Sequence, residues 1–170
     1  MTHARYTTTR SSYRSHAPKS EGNDGEIGSM QAFAEAGVKY QWQVPIQTKF
    51  REVPFKCDFL FDVDSQPWIT TLTGKQVVGE NQGGFHFKTF HGRPAVKRRH
   101  KDEMRMNCLT ESGYTFVEWR EEEIVTRRYR KGIKTLIVHP DTVLDRLMQA
   151  FEAPKGSYFL AAEGKGDSNP

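Results

Sequence analysis

Two cysteines, Cys57 and Cys108, are all that the 170 residues contain. They are too few for a disulfide scaffold, and with no C-x-x-C pair they form a poor ligand pattern for structural zinc, even counting His86 and His91. No run of about 18 apolar residues occurs, which rules out a spanning helix. The first twenty residues are polar and lack the apolar stretch of a secretory signal, so a cytoplasmic location is expected. G-x-S-x-G is missing, and the glycines of GENQGG are not followed by Gly-Lys-Ser/Thr, so neither a nucleophile elbow nor a Walker loop is present. What the chain does have is 27% charged, 12% aromatic and 36% hydrophobic residues. That balance argues against wholesale disorder and for one strand-rich core with tails.

Acids are missing from residues 1–20, which hold Arg5, Arg10, Arg14 and Lys19. Setting these four aside leaves 21 basic against 21 acidic residues, so the net charge of +4 resides in the arm. Residues 1–23 are therefore expected to be a flexible basic arm suited to a polyanion, 24–162 a single domain, and 163–170 a disordered tail.

Within the domain, Asp24 can cap a helix from Gly25 to Ala36, with Ile27, Met30, Phe33 and Ala34 at helical spacing and Gly37 as the stop. Val38, Tyr40, Trp42 and Val44 alternate as a strand that Pro45 ends. In REVPFKCDFLFDV, Phe55, Cys57, Phe59 and Phe61 face one way and Asp58 and Leu60 the other. Gln76–Gly79 is the buried end of a third strand, running into Glu80. A long charged helix spans Pro94 to Ser112, stopped by Gly113, and YTFVEW is a further strand. Arg120 to Lys134 is ambiguous, whereas His139 to Ala153 is a helix with Val143, Leu144, Leu147, Met148 and Phe151 on one stripe. The order is helix, three strands, helix, strand, helix: an α/β protein with a mixed sheet at its centre.

Three acids stand out in that order: Glu26 in the first helix, Asp58 inside an aromatic strand, and Glu80 after two valines. A carboxylate at a buried strand position is costly unless compensated, and a divalent cation shared by two such groups is the usual compensation.

Asp58, then Glu80 with Gln82 two residues on, resembles the catalytic signature of the PD-(D/E)XK nuclease superfamily, an acid on one strand followed by acid-x-lysine on the next. GENQGGFH followed by KRRHKDEMRMNCLTESGYTFVEWREEEI resembles the very-short-patch-repair (Vsr)-like endonucleases. The matching positions are Gly83, Gly84 and His86, then Asp102 and Arg105, Leu109, Gly113 and Tyr114, and Trp119 with Glu121. The helix bearing Glu26, followed by GVKYQWQVPI, is similar to phage junction-resolving endonucleases of the same superfamily. The resemblance covers about residues 24–124. It implies a restriction-endonuclease-like mixed central sheet flanked by helices, in a bacterial or phage-infected cell. It further implies that Asp58, Glu80 and the main-chain carbonyl of Asn81 bind Mg (or Mn), with Glu26 joining through water. Gln82 departs from the pattern, since a glutamine is neither a cation nor a strong base. His86, Lys88 and Lys101 are candidates to supply the missing function. His86 is preferred, because this branch uses a histidine in the turn and imidazole titrates near neutral pH.

The expected partner is double-stranded or branched DNA. Its backbone would be held by Arg5, Arg10, Arg14 and Lys19 of the arm, by Lys97, Arg98, Arg99 and Lys101, and by Arg127, Arg128, Arg130 and Lys131. Phe85, Phe87 and Phe90 beside the glycine turn could wedge between bases. The expected activity is a metal-dependent DNA endonuclease, either site-specific and nicking or junction-resolving; a resolvase needs two sites and hence a homodimer. The alternative is a catalytically inactive nucleic-acid-binding protein on the same fold.

Overall fold

The computed structural model describes residues 5–8, 23–83 and 95–161. Their order is β1 (Arg5–Thr8), α1 (Asp24–Glu35), β2 (Gln41–Thr48), β3 (Arg51–Asp62), a 3-10 turn (Val63–Ser65) and β4 (Gln76–Gln82). Then follow α2 (Ala95–Glu111), β5 (Thr115–Arg120), α3 (Glu121–Ile124), β6 (Val125–Arg130), β7 (Ile133–Val138), α4 (Pro140–Glu152) and β8 (Tyr158–Phe159). The chain is mixed α/β, as the element order leads one to expect. No helix among the described residues is long and apolar enough to cross a membrane.

The main sheet has five strands in the order β2-β3-β4-β5-β8. The first three run antiparallel, while β4–β5 and β5–β8 are parallel. A parallel neighbour cannot be reached by a hairpin, and α2 makes the crossover between β4 and β5. One face is covered by α1 and α4, which bury Phe33, Leu147 and Phe151 against Phe59, Phe61, Val77 and Trp119. The Phe33 ring meets Phe59 and Phe61 edge-on at 5.2 and 5.1 Å. The other face is covered by α2 through Met106 and Leu109, packed with Phe55, Cys57, Leu60 and Val78.

Several expectations are corrected. The cap of α1 is Asn23 rather than Asp24: its side chain accepts from the Glu26 N–H at 2.9 Å, while Glu26 Oε2 accepts from the Asn23 N–H at 2.8 Å. Pro45 does not end a strand but lies within β2, opposite Lys56. As β2 is an edge strand, a residue without an N–H is tolerated there. Phe55, Cys57, Phe59 and Phe61 do not share a face, because Phe55 and Cys57 pack toward α2 and Phe59 and Phe61 toward α1. Tyr40 and Trp42 likewise separate from Val44 and Ile46. Both strands change face at one rung, Gln43 opposite Asp58, where the ladder is interrupted and Gln43 takes the left-handed φ of 56°.

Four residues of the expected arm, Arg5–Thr8, form β1, because β7 offers them an unpaired edge. The ambiguous stretch resolves into α3, β6 and the start of β7, giving a second, antiparallel sheet in the order β1-β7-β6. It is mounted on α1 at Gly28, where an added Cβ would come within 2.4 Å of Val125 and 2.9 Å of Ile124. Lys75 is buried at the far end of α4 and donates to the carbonyls of Ala150, Phe151 and Ala153, capping that helix. The expected tail, 163–170, lies outside the described residues.

Candidate active site

Alternation along β4 directs Val77 and Asn81 toward α1, and Val78 and Glu80 toward α2. All of the strand from Val77 to Gln82 is buried, so its polar end must find partners within the protein. Asn81 bonds Ser29 of α1 through its side chain, at 3.3 and 3.2 Å. The β3–β4 ladder ends at Phe59 opposite Gly79, and one rung beyond it Asp58 Oδ2 accepts the Asn81 N–H at 2.8 Å. Gly79 beside Glu80 is fixed by packing, since a Cβ there would lie 2.9 Å from the Trp119 ring and 3.0 Å from Phe61.

Glu26, Asp58 and Glu80 are brought together. The Glu26 carboxyl lies near enough to Asp58 for its charge to raise the Asp58 proton affinity. Glu26 Oε1 also accepts from Gln43 Nε2 at 2.8 Å, so the left-handed turn at Gln43 serves to aim an amide at this acid. Burial pushes the Asp58 carboxyl up to about 6; the Asn81 N–H opposes this and the Glu26 charge adds to it. Burial, and then the Asp58 charge, push the Glu80 carboxyl up to about 8 against the pull of Arg105. Asp58 and Glu80 face one guanidinium, and this pair keeps a proton into the neutral range.

That guanidinium belongs to Arg105 on α2. Its Nη2 donates to Glu80 Oε1 at 2.7 Å and to the Lys56 carbonyl, and lies 3.7 Å from Cys57 Sγ. Its Nε is buried without a hydrogen-bond acceptor. The Cys57 thiol is pushed up to about 12 by burial and by Glu80, so it stays protonated and is no nucleophile.

Gln82 does not reach this cluster's acids. Its Nε2 donates to Glu118 Oε2 at 3.1 Å, and Glu118, opposite Glu80 on β5, also accepts the Ala161 N–H at 3.3 Å. Glu118 and Arg105 are site residues beyond those singled out from sequence as catalytic. Glu118 breaks the apolar YTFVEW run as Asp58 breaks its own, and Arg105 lies one turn before the buried Leu109.

His86, Lys88, His91, Phe85, Phe87 and Phe90 lie outside the described residues, as do Arg10, Arg14 and Lys19. Arg5 falls in β1 opposite Ile137. Lys97, Arg98 and Arg99 fall in the first turns of α2, and Lys101 is exposed on it. Arg127 is tied to Asp24 at 2.5 Å and to Glu121. Arg128, Arg130 and Lys131 are exposed.

Among the described residues no group of three or more His, Cys, Asp and Glu side chains is gathered as for a metal cage. The donor set nevertheless fits Mg or Mn, which is bound through one or two carboxylates with waters and phosphate rather than by an all-protein cage. Asp58 and Glu80 are hard oxygen donors whose mutual repulsion a divalent cation would relieve. No family model, no curated protein and no solved structure matches the chain.

Proposed function

We propose that the chain is a metal-dependent DNA endonuclease of the PD-(D/E)XK type, hydrolysing phosphodiester bonds at the cluster of Glu26, Asp58 and Glu80. The observation that carries this reading is that two carboxyls on adjacent strands, Asp58 and Glu80, are both buried, with the Asp58 charge adding to the burial that raises Glu80, beside the Arg105 guanidinium. Structural acids seldom accumulate like charge in this way, whereas functional sites do. The element order α1-β2-β3-β4-α2-β5 supports the resemblance, with one acid on each of α1, β3 and β4.

A Mg or Mn ion held by Asp58 and Glu80 would polarise a scissile phosphate and lower the pKa of an attacking water. Glu26 would accept a proton or order a water beside Asp58. Asn81 and Gln43 hold the carboxyls in place through the N–H and amide bonds described above. Arg105 takes the cationic role that Gln82 cannot fill: its guanidinium is held at Glu80 and is partly exposed, and a guanidinium is suited to bind a phosphate oxygen. Gln82 acts on Glu118 as a positioning residue.

The test incubates the full chain with supercoiled plasmid and with branched DNA in Mg, Mn or EDTA, beside Asp58→Asn, Glu80→Gln and Arg105→Gln. Metal-dependent cleavage lost in the two carboxyl variants, and lowered roughly 100-fold or more in Arg105→Gln, is expected. Cleavage that survives both carboxyl substitutions would remove the reading. A second reading, a binding protein without catalysis, is favoured by one observation: Gln82 stands at the lysine position and is engaged with Glu118 instead. It predicts salt-sensitive DNA binding, no cleavage in any metal, and no effect of Arg105→Gln.

A further inference from the structure

The hairpin of β6 and β7 carries five cations, Arg127, Arg128, Arg130, Lys131 and Lys134, and no acid occurs between Ile124 and Pro140. Cross-strand register divides them by face. Val125, Arg127 and Tyr129 pair with Val138, Leu136 and Lys134; Thr126, Arg128 and Arg130 pair with Ile137, Thr135 and Ile133. On the first face Val125, Val138 and Leu136 are buried, and both cations are neutralised: Arg127 pairs with Asp24 and Glu121, and Lys134 with Asp24 at 2.6 Å. Among the described residues the second face has no such partners. Arg128 and Arg130 have no ion pair among the described residues, nor has Lys131 at the turn, where Lys131 and Gly132 take left-handed φ values of 50° and 77°. Every residue of β6 after Val125 is exposed.

We propose that this outer face of the β1-β7-β6 sheet, with its turn, is a docking surface for duplex DNA, on which Arg128, Arg130 and Lys131 bind backbone phosphates. The inference rests on the nucleic-acid reading above but not on catalysis. Charge complementarity selects a polyanion, and the nucleic-acid reading above makes duplex DNA that polyanion. The face carries Thr126, Thr135 and two guanidinia, and its apolar side chains are the exposed Ile133 and the half-buried Ile137, so it offers little of the apolar area that a lipid surface would engage. Arg128 and Arg130 lie two residues apart, about 7 Å along the strand, within reach of neighbouring phosphates for such long side chains. The opposite face is locked to α1 at Asp24 and Gly28, the helix that also presents Glu26.

The test measures fluorescence anisotropy of a labelled duplex against salt, in the Asp58→Asn background so that nothing is cut. Arg128→Gln/Arg130→Gln/Lys131→Gln is compared with the charge-matched Lys39→Gln/Lys49→Gln/Lys155→Gln, which removes exposed lysines elsewhere. The hairpin variant is expected to lose about tenfold or more in affinity near physiological salt, and to lower the log–log salt slope by about 2–3, roughly 0.9 for each phosphate contact. Equal losses in both variants would reduce the effect to net charge and overturn the proposal, as would a hairpin variant that binds like its parent. Metal-dependent cleavage by the otherwise native chain, unchanged by the hairpin substitutions, would overturn this surface while leaving the nuclease reading intact. Failure of every variant to bind or cut duplex would overturn both.

Discussion

At Asp58 the fold disfavours the ionised form that the proposed chemistry needs. Its carboxyl is pushed from the ordinary range near 4 up to about 6 by burial and Glu26. Between those values the folded protein holds a proton that the unfolded chain has released, so this group lowers stability as pH rises through the window and the penalty is complete above it. Asp58→Asn keeps an oxygen for the Asn81 N–H and discards the charge. It is expected to be more stable than the native chain by about 2 kcal/mol at pH 8, the gain vanishing near pH 4. Urea unfolding at the two pH values checks this, and equal destabilisation at both would make Asp58 a structural anchor. Asp58 and Glu80 were legible in the sequence because each interrupts an apolar strand. Arg105 was legible only as a position in a motif, because choosing it from the cations of α2 requires knowing which side of that helix meets Cys57 and Glu80.

Among the elements, α1 is the joint between the two sheets, and Gly28 sets how closely it lies on the hairpin root. Gly28→Ala would improve helix propensity by about 1 kcal/mol, yet its methyl would enter the space of Val125 and Ile124, both buried and β-branched. Overpacking costs roughly 1–3 kcal/mol, and with the 2.4 Å approach to Val125 it outweighs the gain, so a net loss of up to about 2 kcal/mol is expected, read as a lower melting temperature. Val125→Ala in the same chain frees that space, and the double variant should lose less than the two single losses together. Strict additivity would mean that the helix has moved away instead. The helices α1 and α4 were readable from their apolar stripes. The β6–β7 hairpin was not, because an edge strand whose residues after Val125 are all exposed carries no two-residue alternation. Its remaining signals were Gly132 at the turn and the β-branched IKTLIV that follows.

For the molecule as a whole, sequence order conveyed the mixed central sheet but not that a second sheet packs against α1 and joins the same core, which depends on contacts distant in sequence. The carboxyl cluster links this architecture to a bulk observable. A cation that binds the folded chain at Asp58 and Glu80 and has no site on the unfolded one stabilises by mass action, about 2.7 kcal/mol at a hundredfold excess over Kd. Because these carboxyls must shed protons to bind it, the melting-temperature increase on adding Mg should be small at pH 5.5 and grow toward pH 8.5, with the proton retained at Glu80 setting the upper part of the range. Asp58→Asn should abolish the Mg-dependent increase while being the more stable protein without Mg at pH 8. Calorimetric melts with Mg, with Ca and with EDTA at three pH values measure both effects in the same samples. A rise of equal size in the native chain and in Asp58→Asn would place the cation elsewhere on the surface. A rise independent of pH would separate metal binding from the buried carboxyls.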